Sequence, residues 1–311
     1  MRAEARVVAE SDGLGGTRLP VLRGESPLLL RRTGPRTGTG VTVHLVGGAA
    51  GPLRGDELRL EIEVGPGAWL EFRSVAASLA LPGRSFLPAS RLTVVATVAA
   101  GGTLRYLPEP LIAAAGCDHV AVTRVDVEEG GALLWRDELV CGRHGEQSGD
   151  VRADMTVRYA GTTIYRHELS VGPAAPGWSG AAVLGNGRAA GTVISAGPGT
   201  ATPANPGTVV SAGRGTVTPA SPGTVAPVSP GTVAPASPGT VAPVSPSTVA
   251  PASLGAYSMS AVPGSDAAAM PLAAGGLLLS AIGQDVRQVS AILDAYCMTH
   301  PTAHPRTLTP V

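Results

Sequence analysis

The sequence predicts a mainly β protein: an elongated antiparallel β meander or set of stacked sheets, a superhelical β scaffold, with a small helical part that includes one C-terminal amphipathic helix. Three observations predict it. Apolar residues recur with period two through much of residues 1–194, Gly-Gly, Pro-Gly and Gly-Asp signals separate these runs, and a helical period appears only near the C-terminus.

Taken in order, strands are expected over 3–9, 27–33 and 41–46. In 56–64, Leu58, Leu60, Ile62 and Val64 alternate with Arg59, Glu61 and Glu63, the pattern of a half-buried antiparallel strand. Further strands are expected over 68–75, 91–99, 119–127 and 132–141. Met155, Val157 and Tyr159 alternate with Thr156 and Arg158, and 163–171 continues the pattern beyond the turn at Ala160-Gly161. A last strand ends near Ile194. Behind Gly283, the residues Val286, Val289, Ile292, Leu293 and Tyr296 fall at helical spacing, with Asp285 in the first turn and Pro301 beyond the end.

Between the strands and the helix lies an eight-residue repeat. Gly-Thr recurs at Gly199, Gly207, Gly215, Gly223, Gly231 and Gly239, and Ser247-Thr248 keeps the register. Pro and Gly in each unit remove ladder donors and raise chain entropy, and only Val repeats as an apolar residue, so 195–255 is expected to be a disordered insertion. The organisation expected is one discontinuous β domain, 1–194 plus 256–298, followed by a flexible tail over 299–311.

Composition excludes several functions. The 311 residues carry no net formal charge and only 15% charged residues, which argues against a nucleic-acid partner. All 23 basic residues are Arg, so the chain has neither the Lys of a phosphate-binding P-loop nor the amine for Schiff-base catalysis. The charged start, Met1-Arg2-Ala3-Glu4-Ala5-Arg6, together with three widely spaced cysteines, Cys117, Cys141 and Cys297, predicts a cytoplasmic protein without a disulfide framework. Uncharged stretches are interrupted by Pro or Gly, so no membrane span is expected. Gly13-Leu14-Gly15-Gly16 reads as a hairpin turn because no helix opens after it, and Gly177-Trp178-Ser179-Gly180 lacks the spacing of a nucleophile elbow.

Three segments carry a family resemblance. Val46-Gly47-Gly48-Ala49-Ala50-Gly51-Pro52-Leu53-Arg54-Gly55-Asp56 leads into the alternating strand, Gly101-Gly102 is followed by Leu104, Tyr106, Leu107, Pro108, Glu109 and Pro110, and Leu139-Val140-Cys141 precedes Gly142-Arg143-His144-Gly145-Glu146. In order and spacing they resemble the urease accessory proteins of the UreD family, called UreH in some lineages, over all of the chain except the insertion. The matching positions are Gly48, Gly55, Asp56, Leu107, Pro108, Gly142, Arg143, Gly145 and Glu146. Residues 74–81 depart from the family, having small and apolar side chains where many members carry Lys and Tyr.

The resemblance implies a non-enzymatic scaffold that binds apo-urease and, with UreF and the GTPase UreG, supports nickel insertion. It also suggests a complex with two copies. Ni²⁺ would be cargo in transit, with no tightly bound cofactor. A conduit holds its ion weakly, so carboxylates and carbonyls suit it better than clustered imidazoles. Glu109, Glu138 and Glu146, with His144, are the residues to test first, although each is equally a solvated or paired surface group. Arg143 and Glu146 also read as a structural corner. Cys117 and His119 share one strand face, and Cys297, His300 and His304 have metal-ligand spacing, but Pro301 and Pro305 break any helix aligning them. Two other functions stay open: a carbohydrate-active hydrolase using Glu128, Glu129, Asp137 and Glu138, against which stands the 3% aromatic content, and a structural β-repeat protein.

Overall fold

The computed structural model describes residues 1–34, 39–198, 209–211 and 265–302. Its strands are β1 (Arg2–Ser11), β2 (Thr17–Gly24), β3 (Leu28–Thr33), β4 (Val41–Gly47), β5 (Glu57–Val64), β6 (Trp69–Ser74), β7 (Ser78–Ala80), β8 (Ser90–Val98), β9 (Thr103–Leu107), β10 (Leu111–Ala113), β11 (Asp118–Val127), β12 (Ala132–Val140), β13 (Asp150–Tyr159), β14 (Thr162–Val171), β15 (Ala189–Ala196), β16 (Val209–Ser211), β17 (Ser265–Pro271) and β18 (Leu277–Gly283). The helix α1 spans Val286–Thr299.

Two sheets face each other. The first runs β14, β13, β11, β8, β5, β1, β2, and the second runs β16, β17, β18, β15, β12, β9, β6, β4, β3, with β7 and β10 attached beside β12. The mainly β, stacked-sheet class and the single C-terminal helix are as expected. The pairing differs from the expected meander, because β1, β5, β8, β11 and β13 are mutually parallel, as are β4, β6, β9 and β12. From β4 to β13 the chain crosses to the other sheet before it returns, so strands that become neighbours run the same way and the chain coils as a solenoid. Antiparallel hairpins close the ends, β1 with β2, β3 with β4, and β13 with β14.

Alternation sends one set of side chains between the sheets. Val7, Leu60, Ile62, Val94, Val125 and Val157 meet Phe72, Leu104, Leu133 and Trp135 there, and Phe72, Tyr106 and Trp135 stack in register across β6, β9 and β12. The second sheet is also covered on its outer face, where Val289, Leu293 and Tyr296 of α1 pack on Ala189, Val193 and Leu279. That is why β18 reads as a near-continuous apolar run and gives no alternating signal. At Gly191 a Cβ would fall 2.6 Å from Leu293 and 2.7 Å from Val289, so this residue lets the helix approach.

Asp285 caps α1, accepting from the Arg287 amide at 2.8 Å, while Gln288 accepts from the Asp285 amide at 3.2 Å. Its other end is tied by buried Arg105 of β9, which donates to the Cys297 carbonyl at 3.0 Å, to Thr302 at 3.1 Å and to Glu71 at 3.0 Å.

Two boundaries move. β15 continues to Ala196, and Ser195, expected in the insertion, is buried with its hydroxyl 2.8 Å from that of Tyr296. The expected tail from 299 begins with anchored residues, since His300 and Thr302 are buried. The remainder of the repeat lies outside the described residues, apart from β16, which pairs antiparallel with β17. No helix among the described residues is long and apolar enough to cross a membrane.

Candidate functional site

Strand ends alternate between two rims. On the far rim the chain turns from the first sheet to the second through Gly67, Gly101 and Gly130, all at positive φ, and the Gly101 amide donates to the Gly130 carbonyl at 3.0 Å. The near rim carries two of the segments that bear the family resemblance, 46–56 and 139–146, and the end of the third, 107–110, which begins at Gly101 on the far rim. Hydrogen bonds knit them together: Leu81 N to Pro52 O at 2.9 Å, Ser78 N to Pro110 O at 2.9 Å, Gly55 N to Pro88 O at 2.8 Å, and Gly149 N to Ala113 O at 3.2 Å. Asp56 is buried and pins its turn by accepting from Leu53 N at 2.9 Å and the Met1 ammonium at 2.7 Å.

Gly142 and Gly145 take positive φ in the third segment, and Arg143 grips Glu146 through two hydrogen bonds of 2.7 and 2.6 Å. Those bonds hold the Glu146 carboxyl down to about 2. Arg188 donates from beneath to the Cys141 carbonyl at 2.6 Å and to that of Glu146. The pair closes a turn that displays His144 exposed at its tip. Glu109 is exposed in the loop between β9 and β10, its amide bound to Ser74 Oγ at 2.9 Å.

A cavity of about 130 Å³ opens between the sheets, bounded by Thr123, Asp137, Tyr165, His167, Leu169 and Thr192 among others. That is room for several waters at the roughly 10–15 Å³ each requires on such a scale. Asp137 is the carboxylate whose strand position turns it inward. It accepts from the Trp135 indole at 2.7 Å, and burial, outweighing that bond, pushes its carboxyl up to about 6.

On β11, in the facing sheet, the inward row runs His119, Ala121, Thr123, and Cys117 precedes it on the same side. His119 is buried, its Nδ1 lies 2.9 Å from Ser90 Oγ, and its Nε2 has no hydrogen-bond partner. Burial lowers the ring to about 4, leaving the neutral imidazole at neutral pH, and pushes the Cys117 thiol up to about 12. Ala121 and Thr123 of this row line the cavity with Asp137, and His119 and Cys117 continue the row toward the near rim.

The remaining candidates lie elsewhere. Glu138, next to Asp137, turns to the outer face, where it takes bonds from Arg136 and, at 2.6 Å, from Ser290 of α1. Its place there is a tie between sheet and helix. Cys297 is buried under α1, and His300 caps it with Nδ1 2.8 Å from Thr302 Oγ1; burial pushes the thiol up to about 11 and the imidazole down to about 4. His304 lies outside the described residues. Among the described residues no group of three or more His, Cys, Asp or Glu side chains is placed to hold a metal. Glu128 sits on the far rim, accepting from Ala100 N at 3.0 Å, so the four carboxylates proposed for sugar hydrolysis do not converge. Sequence reasoning set Asp137 only in that hydrolase reading; the signal that could have placed it inside was the parity of β12, with Leu133, Trp135 and Asp137 on one face.

Fold and site together define a class: a two-sheeted β-solenoid scaffold with a knitted loop rim and a cavity between its sheets that holds an inward carboxylate. A family model described as UreD urease accessory protein matches residues 1–307. The chain belongs to this UreD family. A urease accessory protein UreD of Streptomyces avermitilis is 48% identical over 195 residues, covering 62% of this chain and 77% of that protein. Similar proteins of the same description occur in Streptomyces coelicolor, 45% identical over 65% of this chain and 79% of the relative, and in Frankia alni, 42% identical over 64% and 77%.

Proposed function

We propose that this protein is a maturation scaffold for urease, holding the apoenzyme together with UreF and the GTPase UreG while Ni²⁺ crosses its interior. Family membership supports the role in urease maturation. The cavity between the sheets, lined by Asp137, Thr123 and Thr192, is the observation that supports the finer reading. Nickel is cargo here, so weak, sequential contacts serve better than a closed ligand set. Neutral His119, the hydroxyls of Thr123 and Thr192, and Asp137 offer such contacts, one or two at a time. The knitted near rim, with Glu109, His144 and the Arg143–Glu146 corner, is the docking face in this reading. Nucleotide hydrolysis falls to the GTPase, in keeping with a chain that has no Lys. The working complex is cytoplasmic and holds two copies.

The test is urease activity and nickel content in cells carrying the full urease operon with and without this gene. Apo-urease accumulating without the gene, and loading on its return, supports the proposal. Fully loaded urease in its absence refutes it.

A further inference from the structure

The two sheets are of unequal width. β14 is the last strand of the first sheet, pairing with β13 alone, whereas the second continues from β15 through β18 to β17. Ile164 of β14 shares a cluster with Ile194 and Leu278, and Leu169 shares one with Ala190 and Ile282, so β14 lies over β15 and β18. Among the described residues, nothing in the first sheet lies over β17. Register pairs Asp266 with Ile282, Ala268 with Ser280 and Met270 with Leu278, which places all three β17 residues on the face turned toward the first sheet. Asp266 and Met270 are nevertheless exposed, Met270 by 44%. Among the described residues the result is a slot with the unpaired edge of β14 as its side and the β17 face as its floor, the second sheet continuing beyond it to β16.

We propose that this slot accepts an extended segment of a partner protein, added as a strand beside β14 and read through the order basic, any, small, any, apolar. The basic residue stands over Asp266, the one charge on the floor, the small residue over Ala268, and the apolar residue over Met270. Main-chain bonds to β14 supply affinity, and the three inward side chains supply selectivity. A second copy of this chain does not fit. Antiparallel pairing of two β14 strands would bring the partner's β18 and β17 into the space beneath β14 that this chain's own β15 and β18 fill. The slot thus suits an unaccompanied segment, such as a protein terminus, and the inference does not rest on the route of the cation.

The probe is a fluorescent heptapeptide, Thr-Arg-Thr-Ala-Thr-Leu-Thr, and its twin with Glu in place of Arg, titrated into the full-length protein with hydrogen exchange read in parallel. The Arg peptide should bind about fivefold more tightly than its twin, a surface charge pair's worth, and should slow exchange at β14 amides alone. Asp266→Arg should reverse the preference, and Asp266→Asn should abolish it. Binding with unchanged preference in both variants overturns the proposal, as does binding that leaves β14 unprotected or no binding at all. If β14 amides already exchange as slowly as those of β13 without peptide, the edge is filled by the chain itself and the partner reading falls.

Discussion

Replacing Asp137 by Asn should make the protein more stable and less useful. Folding raises this carboxyl from 3.8 to about 6, and at about 1.36 kcal/mol per pH unit that corresponds to a ceiling of about 3 kcal/mol. Solvent reaching the side chain through the cavity screens part of it, so about 1–3 kcal/mol is the working figure. The sign follows from the direction. A group whose pKa rises on folding contributes stability that is fully present below the unfolded value near 3.8 and is lost as pH rises through about 6. At pH 7.5 the wild-type protein carries the whole cost of a poorly solvated carboxylate, and Asn, able to keep the bond from Trp135, does not. Urea denaturation followed by tryptophan fluorescence from pH 4 to 8 should show the variant gaining about 1–3 kcal/mol at pH 7.5, with the gap closing toward pH 4. In cells the same variant should lower urease activation, since the cavity loses its inward carboxylate. A variant that is destabilised at pH 7.5, or whose advantage does not depend on pH, would refute the reasoning about Asp137.

Arg105→Ala removes the buried cation shared by Glu71, Cys297 O and Thr302 and should cost about 3–5 kcal/mol in urea denaturation, because Glu71 keeps its charge with fewer donors. Reversing Glu146 alone should lower urease activation in cells, and the exchange Arg143→Glu with Glu146→Arg should restore most of it if the pair acts as a corner; a swap no better than the single change would assign Glu146 a direct contact. Charge reversal at exposed Glu109 should lower activation without moving the denaturation midpoint, and unchanged activation would remove it from the docking face. Deleting 212–255 should leave the midpoint nearly unchanged, whereas a deletion that starts at Ser195 should cost about 1–2 kcal/mol through the lost bond to Tyr296.

Much of the β content was legible because half-buried strands advertise themselves. β5 shows every other residue buried, as its Leu-x-Leu-x-Ile-x-Val run requires. The helix was legible from its spacing: of the five residues expected on its inner face Val289, Ile292, Leu293 and Tyr296 are buried and Val286 is half-buried, and Cys297 joins them. What escaped was structure whose sequence does not alternate: β18, covered on both faces, the three-residue strands β7 and β10, and the edge strand β2 with Pro20 within it. The candidate site was legible as residue types but not as a place. Asp137 and Glu138 are equivalent by composition, and strand parity sends one into the cavity and the other to the helix.

By itself the sequence determined the secondary-structure class, the amphipathic helix, the family and the exclusion of lysine chemistry, because these depend on local period and residue identity. Tertiary structure decided that neighbouring strands run parallel, that residues 46–56, 107–110 and 139–146 share one rim, and that Asp137 faces a cavity between the sheets. Each of those depends on which strands the coil brings side by side, a matter of pairing between residues tens of positions apart, and period-two alternation reads the same in a parallel strand as in an antiparallel one.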